Sequence, residues 1–395
     1  MKYAIIIPDG AADLPLEELD GATPLAAAET PNIDWIAANG RCGTVRTVPR
    51  GMHPGSDVAI LSVIGYDPKQ YYTGRAPLEA AARDLKIGPD ELVFRCNLVT
   101  IVDGIMEDYS AGHIASEQAA SLIEELNRLL AGPNVRFYSG VGYRHLMTFK
   151  GECDVTTTPP HDILGQRVQG RLPTGSGADM LRTLIDRSQA IFAEHEINAV
   201  RRDLGENPAT SIWLWGQGKM PQLPSFAERF GLSAAAITAV DLVRGLAKLI
   251  GWSLIEVEGA TGYIDTNYFG KGLAAVEAMD EYDLVCVHVE APDEAGHNAD
   301  PDAKVKAISQ IDRHVVGPLL ERLQGEGDQW RILVLPDHPT PCRVRTHTAE
   351  PVPFAIAGAG IESVVAEPFN EETAAASDLH VARGCDLMEY FLTVR

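Results

Sequence analysis

The chain reads as an α/β protein: one mainly parallel sheet covered by helices, interrupted by a smaller inserted α+β domain. Three observations lead there. Strand-like and helix-like stretches alternate toward both ends of the sequence. Aspartates and histidines fall beside four apparent strands, and in an open α/β sheet ligands bind outside the carboxyl ends of the strands. Those residues lie before Asn97 or after Asp283, while the middle differs in character. The simplest assembly is a core of residues 1–79 and 209–395 around an insert of residues 80–208.

Taken in order, Tyr3 to Pro8 opens the chain as a strand and runs straight into Asp9. Thr30-Pro31-Asn32 starts a helix that Asn39-Gly40 stops. Gly43 to Val48 is the next strand, and Pro54-Gly55-Ser56-Asp57 introduces a helix over Val58 to Ile64. In the middle, Leu92 to Val99, Val135 to Tyr138 and His145 to Phe149 read as strands, and Ala115 to Leu130 as a helix. After a polar stretch around Glu206-Asn207-Pro208 the α/β rhythm returns. Ser211 to Trp215, Ala235 to Thr238 and Leu254 to Val257 are strand candidates; Val243 to Ile250 and Asp302 to Leu323 are helical. Asp283 to Val289, Arg331 to Pro336 and Pro353 to Ile356 complete the strands.

A length of 395 residues accommodates two domains. The formal net charge of −22 argues against nucleic-acid binding, which needs a basic face. It fits an acidic, soluble surface, and an anionic substrate would need local metals and a few arginines to overcome the repulsive field. Six dispersed cysteines without a Cys-x-x-Cys pair fit reduced thiols. No apolar run approaches the roughly 20 residues of a membrane helix, and no signal segment precedes the first strand, so a cytoplasmic location is expected.

The chemistry-bearing residues are Asp9, Asp293 with His297, Asp337 with His338, and His347 ahead of the last strand. Three aspartates and three histidines suit a divalent ion such as Zn or Mn and suggest a two-metal enzyme. Asp293 and His297, four apart, share one face of a short helix. Asp337 and His338 are adjacent, so they must serve different ions or sit in a bend. Taken singly, each aspartate could instead cap a helix and each histidine be a satisfied, partly buried ring.

Ser56 follows Pro54-Gly55 at a helix start, where backbone N–H groups and the helix dipole favour an anion. It could be a plain N-cap. Beside a metal, its hydroxyl would lose its proton readily and become a nucleophile. Anion-friendly helix start, serine and cations together describe phosphoryl transfer.

The chain resembles the archaeal type of cofactor-independent phosphoglycerate mutases, in the alkaline phosphatase superfamily. The motifs are Pro8-Asp9-Gly10, Thr23-Pro24-Leu25, Thr30-Pro31-Asn32, Pro54 to Ala59, Gly65-Tyr66-Asp67-Pro68, Tyr72-Thr73-Gly74-Arg75, Asp293 to His297, Asp337-His338, and His347 with Pro351-Val352-Pro353. The resemblance implies that Ser56 carries the phosphoryl group. It further implies that Asp9, Ser56, Asp337 and His338 hold one metal and Asp293, His297 and His347 another. Manganese is the family's common ion, with zinc, cobalt or magnesium possible. Arginines of the insert would grip a small phosphorylated metabolite; Arg75, Arg95, Asp108, His113 and Arg144 are the substrate-binding candidates. The expected reaction interconverts 3-phosphoglycerate and 2-phosphoglycerate without bisphosphoglycerate.

One segment departs from the family pattern. Members acting on phosphoglycerate usually carry Asp-Arg-Arg-Ala-Gly-Arg where this chain has Asp108-Tyr109-Ser110-Ala111-Gly112-His113. Neither tyrosine nor serine can replace a guanidinium fork on a carboxylate or phosphate. Tyr143-Arg144-His145, Thr158 to Asp162 and Ser211 to Gly218 also resemble a branch proposed to phosphorylate homoserine. A homoserine kinase-like activity is therefore an alternative, and a catalytically silent metal-binding protein a remote one. An amino-acid substrate would need an acidic partner such as Asp108 or Asp162. His53 could touch the phosphoryl group or face solvent, and Gly175-Ser176-Gly177 reads as a plain loop rather than a phosphate cradle. Trp213 and Trp215 read as core.

Overall fold

The computed structural model describes residues 1–364 and 367–393. The chain divides into two units, Met1–Tyr72 with Gln222–Arg395, and Thr73–Pro221. The expected insert of 80–208 is thus longer at both ends, for a packing reason. Ala76 and Ala80 of the helix Arg75–Ala82 bury against Val93 and Leu146 of the second unit, and the strand Ser211–Lys219 pairs with Glu91–Val102.

The first unit is built on an eight-stranded sheet. Its order is Ser253–Leu254, Ala234–Ile237, Leu284–Val289, Lys2–Pro8, Trp330–Val334, Val352–Gly358, Arg41–Val45, His380–Val381. Val352–Gly358 alone runs against both neighbours; the other contacts are parallel. All six residues of Leu284–Val289 are buried, as a central strand covered on both faces requires. Because Val352–Gly358 is reversed, its beginning lies at the edge where Lys2–Pro8, Leu284–Val289 and Trp330–Val334 end. That is how a histidine preceding a strand joins aspartates that follow strands.

One strand expectation needs correction. Leu254 to Val257 is a strand only at Ser253–Leu254; Ile255 donates one more bond to Ala236 O, and Glu256 is then drawn into an ion pair with Arg244. Asp302 to Leu323 is helical as expected, with one change of winding. Pro301–Ile311 gives way to a π-turn at Asp312–Val316 before Gly317–Gln324. The carboxylate of Asp312 reaches sideways to cap the helix Pro31–Ala38, accepting from Ile33 N at 2.7 Å and from Asn32 Nδ2 at 2.8 Å. Thr30, at the cap position itself, makes no such bond. A π-turn inserts a residue and re-aims side chains, consistent with Asp312 facing across to its neighbour.

The second unit is an antiparallel sheet with the helices Ser116–Leu130 and Ala178–Ala193 on one face and Arg75–Ala82 against the other. Ile105–Asp108, Glu91–Val102, Arg144–Lys150 and Val135–Val141 are neighbours in that order, and Ser211–Lys219 also pairs with Glu91–Val102. Strand alternation divides Glu91–Val102 cleanly. Phe94, Cys96 and Leu98 enter the core beneath the helices Ser116–Leu130 and Ala178–Ala193, with Leu122, Leu126, Leu181 and Ile185. Arg95 and Asn97 face the other way. Trp213 and Trp215 are buried on that second face, apart from Ile212 and Leu214 in the main core. Gly175-Ser176 lies in a two-stranded ribbon with Asp154–Thr156, as a plain structural segment.

A buried ion pair braces the loops at the first unit's sheet edge. Lys304, fully buried, donates to Asp13 Oδ2 and Thr340 O, each at 2.8 Å, and Asp13 Oδ2 also accepts from Cys342 N at 3.0 Å. The segment after Asp9 and the segment after His338 are thereby tied to one helix. Lys304→Met strands the Asp13 carboxylate without its cation, and urea unfolding should show a loss of about 3–5 kcal/mol.

Candidate active site

Ser56 starts the helix Ser56–Val63, and Gly55 occupies the cap position. The Ser56 side chain caps nothing. Its Oγ stands 3.4 Å from Asp9 Oδ2 and 3.0 Å from His338 Nε2, and the residue is partly accessible. The next residue, Asp57, is buried and fixed by the Tyr72 hydroxyl, which holds the first turn in place. His53 is exposed, with its ring bonded to Pro54 O at 3.0 Å.

All seven residues expected around metals converge. His338 Nε2 lies 3.5 Å from Asp9 Oδ1 and 3.4 Å from Asp337 Oδ2. Asp293 and His297 share one face of the helix Ala291–His297, with His297 Nε2 at 3.3 Å from Asp293 Oδ2. His347 Nε2 completes that group at 3.0 Å from His297 Nε2 and 3.5 Å from Asp293 Oδ1. The rings of His338 and His347 are 4.2 Å apart, so the two groups adjoin. Asp293 also falls within a second possible ligand set with Asp9 and His338, so it stands between the groups rather than in one alone. Asp337 and His338 share their site because the chain has left the strand and bends there.

Several observations test whether these residues fit cations. Asp9 Oδ1 and Asp337 Oδ2 are buried and have no hydrogen-bond partner, an arrangement that costs free energy unless a cation meets it. Asp337 Oδ1 is taken by Gly10 N at 3.1 Å and His338 N at 2.9 Å, which aims Oδ2 at the site. Burial and the neighbouring Asp337 and Asp293 carboxylates push Asp9 well above the usual carboxylate range. Burial would depress His297, but Asp293 outweighs it and lifts the imidazole to about 9, so a proton stands where a cation would. For Asp293 burial acts upward, and bonds from His297 and His347 overcome it and hold the carboxyl low.

The outer contacts select the tautomers a metal needs. His297 Nδ1 donates to Arg345 O at 3.0 Å, which leaves the Nε2 lone pair facing Asp293 and His347 in the neutral ring. The Thr340 hydroxyl donates to Asp293 Oδ1 and can accept from His338 Nδ1 at 3.2 Å, again turning Nε2 inward. Gly10, at φ +62°, admits no side chain, since a Cβ there would lie 2.5 Å from Asp293 Oδ1 and 2.7 Å from Thr340 Oγ1. Carboxylates and imidazoles presented this way fit divalent ions of intermediate softness.

His288 and Thr340 were not anticipated. His288 Nε2 donates to Asp9 Oδ2 at 2.8 Å, and its Nδ1 can accept from the Thr238 hydroxyl at 3.2 Å. Burial holds its pKa down near 4, so the ring is neutral and orients Asp9. The available signal was a single histidine inside the apolar run Leu284–Val289. Thr340 carried no signal beyond nearness to His338.

In the second unit, Arg75 and Arg95 flank Glu79 at 3.3 and 3.1 Å. Arg95 lies over the Trp215 ring at 4.4 Å, and Arg144 over Tyr143 at 5.4 Å. Burial lowers Arg95 to about 10, Glu79 opposes that, and Arg75 and Arg144 add to the lowering. Arg75 and Arg144 are therefore each close enough to Arg95 to repel it. A chain of rings, Trp215, His161, Tyr109, Tyr143 and His113, joins the Arg95 and Arg144 positions. Asp108 holds its own loop: Oδ1 accepts from Ser110 N and Oγ, and Oδ2 from Gly112 N and Asn207 Nδ2. Ala111, Gly112 and His113 all have positive φ, and buried Arg201 binds Ala111 O at 2.8 Å.

Comparison with known proteins gives a consistent result. Residues 37–198 match the family model described as 2,3-bisphosphoglycerate-independent phosphoglycerate mutase. A protein of that name from Methanothrix thermoacetophila is 50% identical over 99% of this chain and 100% of its own length. The Methanosarcina barkeri protein of the same name is 48% identical over 98% of both chains. A Pyrococcus horikoshii protein of known structure superposes with TM-score 0.84 at 31% identity, over 99% of this chain and 96% of that one. The cofactor-independent phosphoglycerate mutase of Thermoplasma acidophilum gives 0.67 at 27% identity, over 99% of each.

His288→Ala removes the donor that orients Asp9. Divalent-ion affinity should fall about 10–100-fold by equilibrium dialysis, while circular dichroism stays native. Unchanged affinity would leave His288 a packing residue.

Proposed function

As this chain belongs to the 2,3-bisphosphoglycerate-independent phosphoglycerate mutase family, we propose that it interconverts 3-phosphoglycerate and 2-phosphoglycerate through phosphorylated Ser56. The observation that carries the reading is Ser56 Oγ, free of any capping duty and set between Asp9 and His338 at a helix start. We place the reaction in the cytoplasm.

Divalent-metal use accords with the family and the side chains present. Our assignment is two ions, one for Asp9, Ser56, Asp337 and His338, the other for Asp293, His297 and His347. Asp293 lies close enough to assist the first. Manganese is the leading choice, with zinc, cobalt or magnesium as alternatives. When bound, the ions would supply positive charge that eases loss of the Ser56 proton and steadies the transferring phosphoryl group.

The chain's own residues do the rest. Ser56 Oγ bonds to phosphorus as the ester bond to the 3-oxygen breaks; the serine gives up a proton and the released 3-hydroxyl gains one. The 2-hydroxyl then attacks the phosphoserine, and the proton exchange runs in reverse. The first N–H groups of the Ser56 helix favour the phosphoryl oxygens. Arg75, Arg95 and Arg144 are our candidates for the substrate's anionic groups, in place of the arginines missing at Tyr109, Ser110 and His113, with His113 at the end of the ring chain. Asp108 serves by shaping the loop. Its oxygens are already engaged, which disfavours the alternative in which it receives the ammonium group of homoserine.

Ser56→Ala should lower 3-phosphoglycerate turnover by at least about a thousand-fold in an enolase-coupled assay, with the fold and bound metal retained. Chelation should abolish activity and manganese should restore it. Arg95→Met or Arg144→Met should cost about 10–100-fold in kcat/KM, the loss of one charge-assisted contact. A metal-loaded enzyme that ignores 3-phosphoglycerate and phosphorylates homoserine would overturn the assignment.

A further inference from the structure

A second cleft in the first unit shares no residue with the Asp/His cluster. Its volume is about 600 Å³, and its walls carry Arg46, Arg50, Lys69 and Arg383 against a single carboxylate, Asp67. Asp67 is already engaged, accepting from Lys69 N at 2.9 Å and from Arg383 at 3.3 Å. Arg46 spends one nitrogen on Ala349 O at 2.9 Å, and Arg383 also lies 3.7 Å from Asp386. Among the described residues, neither the Arg50 guanidinium nor the Lys69 ammonium has a protein partner. In a chain of net charge −22, four cations around one concave surface run against the general field, and such a surface concentrates anions.

Two further features point to an occupant. Ser62 lines the cleft and is wholly buried, yet its Oγ has no hydrogen-bond partner. A buried hydroxyl left unpaired is costly, and a ligand oxygen reaching the floor would relieve it. Gly384 and Cys385, at the start of the ten-residue helix Gly384–Thr393, also line the cleft, so the positive end of that helix faces it. Gly384 permits the close docking: a Cβ there would meet Ser62 Cβ at 2.8 Å and Arg46 O at 2.9 Å.

We propose that this cleft binds a compact polyanion, a small molecule bearing two or more phosphoryl or carboxylate groups, separately from the reaction site. The cations take the charged oxygens, and the Ser62 hydroxyl donates from the floor. The occupant is distinct from the substrate bound at Ser56, so the proposal stands or falls independently of the reaction assigned there.

Site-resolved protection tests it on the metal-loaded protein. Lys69 is acetylated at limiting reagent and followed by peptide mass spectrometry, with exposed Lys306 as the internal reference. Inorganic pyrophosphate and citrate are the two probes, against sodium chloride at equal ionic strength. At least one probe should slow Lys69 acetylation about five-fold or more and leave Lys306 unchanged; the stronger protector identifies the phosphoryl or carboxylate class. In an Arg50→Ser/Arg383→Ser variant with native circular dichroism, that protection should disappear. No protection by either probe, equal protection at Lys306, or full protection surviving in the variant would overturn the proposal.

Discussion

Buried, unspent negative charge is the constraint on which the rest of the site depends. Asp9, Asp293 and Asp337 are drawn together at one edge of a sheet, in surroundings that exclude water, and two of their oxygens have no hydrogen-bond partner. Such a cluster is tolerable only if positive charge is supplied. Within the protein alone protons bind more tightly than usual, with Asp9 raised above the usual carboxylate range by burial and neighbouring carboxylates and His297 lifted to about 9 by Asp293. Divalent ions would replace those protons and leave the same side chains as ligands. The instability of the bare cluster and the affinity for metal are one property.

The scaffold exists to hold that cluster open. Backbone N–H groups occupy one oxygen of Asp337, His288 holds one of Asp9, and Thr340 reaches Asp293, so each carboxylate keeps its remaining capacity for the centre. The Lys304–Asp13 pair then fixes the two loops that carry these groups. Reversal of the single strand Val352–Gly358 brings His347 to the same edge. These contacts set the precision that a phosphoryl transfer needs, because a nucleophile must meet phosphorus at a fixed distance and angle.

The second unit solves a different problem with different materials. The segment after Asp108 carries Tyr109, Ser110 and His113 in a loop whose Ala111, Gly112 and His113 have positive φ in succession. Strand and helix positions place Arg75, Arg95 and Arg144 in the same unit, with Arg95 over the Trp215 ring and Arg144 over Tyr143. Aromatic contact and partial neutralisation by Glu79 make the proximity of like charges affordable. An arriving anion would relieve the repulsion that remains.

Much of this was legible in the chain itself. Asp9, Ser56, Asp293, His297, Asp337, His338 and His347 could be singled out because strand endings, helix starts and a four-residue spacing are local patterns, and local patterns are written in sequence. The α/β class and the presence of an insert followed from the same periodicities. The insert's ends did not, because Ala76, Ala80 and Ser211–Lys219 are assigned by what they pack against rather than by their own composition. The π-turn within the helical stretch Asp302 to Leu323 was not legible for a related reason: Asp312 answers to a helix start some 280 positions away. His288 looked like one more strand residue, and Asp108 like a possible acidic partner for an amino-acid substrate, until their hydrogen bonds were in view. Sequence determined which residue types were available and which face or terminus each would occupy. Tertiary structure alone decided which polar groups were already satisfied and which were left unpaired, since hydrogen bonding and burial are properties of neighbours brought together only by folding.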